Sequence, residues 1–322
     1  MSDFLSIVKD YSGALLSVSK YAVVVILALN FNSFPLVWHF KTFGRVYWHG
    51  LFENHNTSVG MNPFKTVSRC KYRATIDDCD AFGYHLSNSS YAKNLDSARL
   101  DAWTSLNYRL FKEAQIWTPL GASTYYFVKE IPFGKKYEIR TSIGAYENDK
   151  WFYYLSKFVS KKSAKSKKAE AKAAENTPTH LATAGSHALA PEATSGSSTP
   201  VPSASRDAVQ NNLLAQAYND LAPDEELNCI AITQYCFKCG RMTVPPPVAF
   251  AMAGLGEHGK ENHKIFGKLV KERKIKEYMK GGYKDSAFAD VEFNINDLEV
   301  INAQRVAPYK VFNESLSAFK TH

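Results

Sequence analysis

"DDCDAFGYHLSNSSYAKNLDSARLDAW", residues 77–103, sets acidic residues, a glycine and a histidine directly ahead of a run with helical spacing. Tyr91, Leu95, Ala98, Ala102 and Leu106 recur at intervals of three and four, which predicts a helix from about Ser89 to Lys112 with one buried stripe. Ser87 or Asn88 suits the N-cap, and Ser89 and Ser90 suit the first turn. Two readings follow. The loop is either a polar cap on a core helix, or a reaction site aimed at free backbone N–H groups and the positive end of the helix dipole.

The flanking segments read as strands. In "PFKTVSRCKYRATID", residues 63–77, Ser68, Cys70, Tyr72, Ala74 and Ile76 form the less polar parity and are expected to face inward. After the helix, Thr124 to Ile131, Tyr137 to Tyr146 and Lys150 to Ser160 are rich in aromatic and β-branched residues, with turn signals between them. Leu227 to Pro247 reads as a further strand ended by prolines. A buried helix followed by antiparallel strands implies an α+β domain whose sheet wraps the helix.

Length and composition bound the rest. A chain of 322 residues with 45% hydrophobic content can bury one substantial core. The net charge of +8 is weak evidence for nucleic acid, because Lys161 to Glu175 alone holds six lysines against two glutamates. From about Lys161 to Arg206, Lys, Ala, Ser, Thr, Pro and Gly replace large apolar residues, which predicts a disordered insertion. Five cysteines, at positions 70, 79, 229, 236 and 239, do not make a disulfide framework. The Cys236–Cys239 pair has no second pair to complete a zinc site, and no metal is implied.

The N-terminus contains "YAVVVILALNFNSFPLVWHF", Tyr21 to Phe40, flanked by Lys20 and Lys41. Its length and aromatic ends read as a membrane anchor. Asn30, Asn32, Ser33 and Pro35 leave open a hydrophobic hairpin, an interfacial helix, a signal sequence or a packing helix. Lys41 and Arg45 put the bulk of the protein on the cytosolic side, with endoplasmic reticulum and mitochondrion left unresolved. Glu257 to Lys280, with eight Lys or Arg and four Glu, suits an amphipathic helix on a membrane or beside an acidic ligand, or a solvated helix. The organisation expected is an anchor segment (1–41), a domain in two parts (42–160 and 227–256) around the insertion (161–226), and a basic helix with a tail (257–322).

The order of elements, and above all "DCDAFGYHLSNSSYAKNLDSARLDAW", resembles the hot-dog fold in its acyl-CoA thioesterase-like branch. That branch is related to hydroxybenzoyl-CoA thioesterase and to the membrane-associated animal thioesterase-superfamily-member proteins. Its members carry an Asp, then a Gly-His or similar pair, an Asn-rich turn, a Tyr, and a helix with Leu-Asp-x-Ala-Arg. His85, Asn88, Tyr91, Leu95, Asp96, Ala98 and Arg99 keep that order. Asp80 stands five residues before His85 where many relatives have four, Ser87 replaces an Asn, and Ala81 replaces a Pro of the hydroxybenzoyl type.

The resemblance implies hydrolysis of an acyl-CoA to free acid and CoA by a homodimer. CoA is part of the substrate and no further cofactor is needed. Asp80 would attack the thioester or activate water, His85 would orient it, and Asn88 would position water or the carbonyl, with Ser87, Ser89 and Tyr91 as substrate contacts. Arg69, Lys71, Arg73 and Lys93 are candidates for the CoA phosphates. Acyl-CoA and membrane lipid are the partners implied, and nucleic acid is not. The plainer readings are a turn-forming Asp80, a half-buried His85 and a core Tyr91, which fit a non-catalytic lipid or acyl-CoA binding module or an interaction protein.

Overall fold

The computed structural model describes residues 18–52, 58–147, 149–164, 214–215, 217–284, 288 and 291–310. Most of the expected insertion lies outside the described residues.

The centre is α3, Asn88–Ala114, which buries Tyr91, Leu95, Ala98, Ala102 and Leu106 as the spacing predicts. Ser87 caps it by accepting the N–H of Ser90 at 3.2 Å, and Gln115 ends it in a left-handed conformation. Around α3 curls an antiparallel sheet of β1 (Ser68–Arg73), β2 (Ile116–Trp117), β3 (Leu120–Phe127), β4 (Lys136–Tyr146), β5 (Trp151–Lys161), β6 (Glu225–Cys239) and β7 (Met242–Val244). The path runs β1-β4-β5-β6-β2, and β3 and β7 also pair with β6. Among the described residues β1 pairs only with β4 and β3 only with β6, so each offers a free edge there.

The inward parity of β1 is the expected one, since Cys70 is 1% exposed and Tyr72 packs on the same cluster. Residues 63–65 form a turn instead of the start of the strand: Asn62 accepts the N–H of Phe64 at 3.0 Å and, through its carbonyl, the hydroxyl of Thr66 at 2.8 Å. The second sheet face is also covered. Ala145, Tyr153, Leu155 and Ile230 pack there with Ala217, from the described helical residues around it, and with Tyr309.

Beyond β7 come α4 (Pro246–Met252), α5 (Gly259–Lys271), α6 (Ile275–Met279) and α7 (Asn296–Arg305). α5 has the amphipathic character expected of the basic segment, but Phe266 and Leu269 enter the main core, so its apolar face is not available to a membrane.

The anchor segment departs most from expectation. Residues 18–29 are helical (α1), a 3-10 turn covers Phe31–Ser33, and α2 runs from Val37 to Phe52. Among the described residues no helix is long and apolar enough to cross a membrane, so Tyr21 to Phe40 is not a single transmembrane helix. The break has local causes. Asn30 turns its side-chain amide back to the carbonyl of Ile26 at 2.8 Å, and Pro35 holds Phe34 extended. α2 then lies against α3, with Gly50 so close to the ring of Tyr108 that a Cβ would stand 2.5 Å from its hydroxyl.

Candidate active site

The loop before α3 is a small closed structure. Cys79 bridges to Leu86 and His85 to Pro132. The N–H of Asp80 donates to the carbonyl of His85, and that of Gly83 to the carbonyl of Asp80, both at 2.9 Å. Gly83 adopts φ +73°, and a Cβ there would also stand 2.9 Å from Ile76 Cδ1, so the turn requires glycine.

Inside this turn the Asp80 carboxylate accepts N–H groups from Tyr84 at 2.8 Å, His85 at 3.3 Å and Phe82 at 3.4 Å. Partial desolvation works against its charge, but these three bonds and the nearby His85 outweigh it and hold the carboxyl below its ordinary pKa. His85 is half-buried. Its Nδ1 lies 3.1 Å from the carbonyl of Leu86, and its Nε2 lies 3.6 Å from the Glu130 carboxylate. The first two residues of α3, Asn88 and Ser89, are exposed, and their N–H groups precede the first intrahelical acceptors. Tyr91 is a core residue, its ring 4.9 Å from that of Phe158 and 5.1 Å from that of Phe127. The structure therefore brings Asp80 and His85 into one turn at the entrance to α3. Among the described residues no hydrogen bond runs from side chain to side chain between Asp80, His85 and Asn88; His85 reaches the Asp80 carboxylate only through its backbone N–H.

Two residues earlier stands a carboxylate in the opposite situation. Asp78 is 5% exposed and ion-paired with Lys93. Asn94 donates to it at 3.4 Å and to the hydroxyl of Tyr137 at 2.9 Å. No sequence pattern separates Asp78 from Asp80. The partners that bury Asp78 come from α3 and β4, and only the tertiary arrangement assembles them. Arg99 pairs with Asp96 as their spacing on the helix allows, and it also lies 5.6 Å over the ring of Tyr235.

Residues 74–209 match the family model described as the thioesterase-like superfamily. Similar solved structures include a gentisyl-coenzyme A thioesterase, at 16% identity and a TM-score of 0.31, covering 57% of this chain and 98% of that one. Another is the 4-hydroxybenzoyl CoA thioesterase from Pseudomonas sp. strain CBS-3, at 14% identity and 0.35, covering 58% and 98%. A third is a Staphylococcus aureus protein in complex with CoA, at 8% identity and 0.35, covering 59% and 82%. No curated protein matches the chain. α3 wrapped by one antiparallel sheet is the hot-dog arrangement, and the loop and the start of that helix lie within the stretch, 74–209, that matches the thioesterase-like superfamily.

Proposed function

We propose that the chain hydrolyses an acyl-CoA thioester to the free acid and CoA, as a homodimer at a membrane surface. The observation that carries this reading is the Asp80 turn, set against the start of α3 within the residues that match the thioesterase-like superfamily. A thioester carbonyl at the N–H groups of Asn88 and Ser89 would gain stabilisation as its oxygen becomes negative. Asp80, held ionised, is suited to attack: its oxygen bonds to the carbonyl carbon, the C–S bond breaks, and CoA leaves as thiolate and takes a proton. Water then cleaves the resulting anhydride and restores the carboxylate. His85 orients the turn and Asn88 the incoming carbonyl, with Ser87 and Ser89 beside the acyl group.

Support for a second subunit comes from exposed apolar surface around the turn. β3 has a free edge, and Phe82, Tyr84, Phe127 and Phe133 stand largely exposed near it or the turn. A second copy laid along β3 would exclude water from Asp80. Support for the membrane comes from α1 and α2, where Val24, Ile26, Leu29, Phe40 and Leu51 are all exposed. They would lie in the interface as a pair of short helices, with the domain on the cytosolic side.

The engaged state of Asp80 favours one alternative. Its two oxygens serve the turn's own backbone, as in a loop that merely caps α3, and the protein would then bind acyl-CoA or lipid without turnover. Thiol release from a panel of acyl-CoAs separates the two. Asp80→Asn keeps an acceptor for Tyr84 and should lower kcat by about 100-fold or more in a folded protein. The acid limb of kcat/KM should fall below the ordinary aspartate range, because the group must be ionised to act and its pKa is depressed. Equal turnover in the wild type and the variant would remove Asp80 from the mechanism, and binding without turnover in both would establish the binding module.

A further inference from the structure

A cavity of about 340 Å³ opens where α2 crosses the free edge of β1 and the first turns of α3. Five cations line it: Lys41 and Arg45 from α2, Lys71 and Arg73 from β1, and Lys93 from α3. Arg45 is paired with Asp101 at 3.2 Å, and Lys93 with Asp78, the single acidic residue of the lining. Asp77, just outside it, is engaged by Asn32 at 3.3 Å and Ser33 at 3.4 Å. That leaves Lys41, Lys71 and Arg73 without a carboxylate partner among the described residues. Lys41 donates to the side-chain oxygen of Asn32, and Arg73 to the carbonyl of Gly134.

A second observation is independent of charge. Thr42, only 3% exposed, lines the same cavity from α2, and its hydroxyl has no hydrogen-bond partner among the described residues. A buried hydroxyl left unpaired costs free energy, and because this oxygen is sealed from solvent a ligand atom reaches it only when the cavity wall over it yields. Three cations without a carboxylate partner in one cavity, above a buried and unpaired hydroxyl, make a site for a group with several anionic oxygens, and phosphate has that chemistry.

The surroundings decide what carries the phosphate. The helices that supply Lys41, Thr42 and Arg45 turn Phe40, Tyr47 and Leu51 outward, and α1 adds Val24, Ile26 and Leu29. A ligand that satisfies both the cavity and these side chains has an anionic head and apolar tails. We infer that this cavity takes the phosphate of an anionic phospholipid and selects the membrane on which the protein docks. The inference rests on the proposed membrane association, although the cavity itself does not.

The test uses the full chain and two kinds of vesicle, phosphatidylcholine alone and phosphatidylcholine with one fifth phosphatidic acid. Wild type should bind the acidic vesicles more tightly. Replacing Lys41, Lys71 and Arg73 together by Gln should remove about 100-fold of that affinity, at about fivefold per cation, and Thr42→Val should cost a few-fold with no change of charge. Lys260, Lys264 and Lys271 on the polar face of α5, replaced by Gln, form the control triple and should cost less than about threefold. Equal losses in the two triples, or an unaltered Thr42→Val, would assign the attraction to diffuse charge and overturn the inference. Displacement of the protein from acidic vesicles by soluble CoA through the same residues would give the cavity to the nucleotide and overturn the lipid assignment. Soluble dihexanoyl phosphatidic acid keeps the two readings apart. If wild type ignores all vesicles yet binds this probe through Thr42 and the three cations, the membrane reading fails and the phosphate site stands.

Discussion

The helix α3 and the α1–α2 pair are both helical and both rich in large apolar residues, yet they sit in opposite surroundings. α3 buries fourteen of its residues, and these include Asn94, Arg99 and Asn107, which hydropathy alone would place outside. α2 buries only Thr42 among its described side chains, and the valines and leucines of α1 face outward. The difference teaches that side-chain type does not decide burial here. α3 is covered because the sheet curls over it: Asn94 finds a partner in β4 and Arg99 in β3 and β6, while the Asn107 amide is buried without a hydrogen-bond partner among the described residues. α1 and α2 lie where the sheet ends at β1, so much of their apolar surface remains for something else to cover.

Stability measurements can break or sharpen that contrast. Leu95→Ala, at a fully buried site on α3, should destabilise the protein by about 2–5 kcal/mol in urea unfolding. Gly83→Ala, which forces a side chain into a left-handed conformation against Ile76, should cost about 1–2 kcal/mol in the same assay. Ser87→Ala, which removes the cap of α3, should cost about 1 kcal/mol. Phe40→Ser on α2 should change unfolding by no more than about 0.5 kcal/mol while weakening vesicle binding. A Phe40→Ser loss as large as that of Leu95→Ala would show that α2 is core, and the contrast between the two regions would collapse.

The same contrast explains what the sequence could reveal. The stripe from Tyr91 to Leu106 and the parity of β1 were legible because period determines which side faces the core, and β4 and β5 were legible because aromatic and β-branched residues crowd them between turn signals. The apolar run at Tyr21 to Phe40 was legible as a segment apart from the core, but its shape was not. A hydropathy window averages over Asn30 and Pro35, and these two residues turn one long helix into two short ones. At the site, the Asp80 turn and the cap of α3 could be read locally. The burial of Asp78 and the grouping of Lys41, Thr42, Lys71 and Arg73 could not, since residues from α2, β1, α3 and β4 meet there only after folding.

The pairing of β5 with β6 begins at Lys161 opposite Glu225, and Lys162 still donates to Asp224 at 2.8 Å. The two strands thus form a hairpin whose turn has been replaced by the whole stretch between those residues. Closing so long a connection costs more than closing a tight turn, though only by about 0.6 kcal/mol for each doubling of length. β6 also joins β5 to β2 and β3, so a nascent chain that stops short of Glu225 holds two strands with nothing between them. Synthesis must therefore run well past the residues that match the family before the sheet can close. Once it has closed, the adjacent ends at Lys161 and Glu225 mark the place where the chain can be lengthened, or host a guest domain, with the least disturbance to the rest.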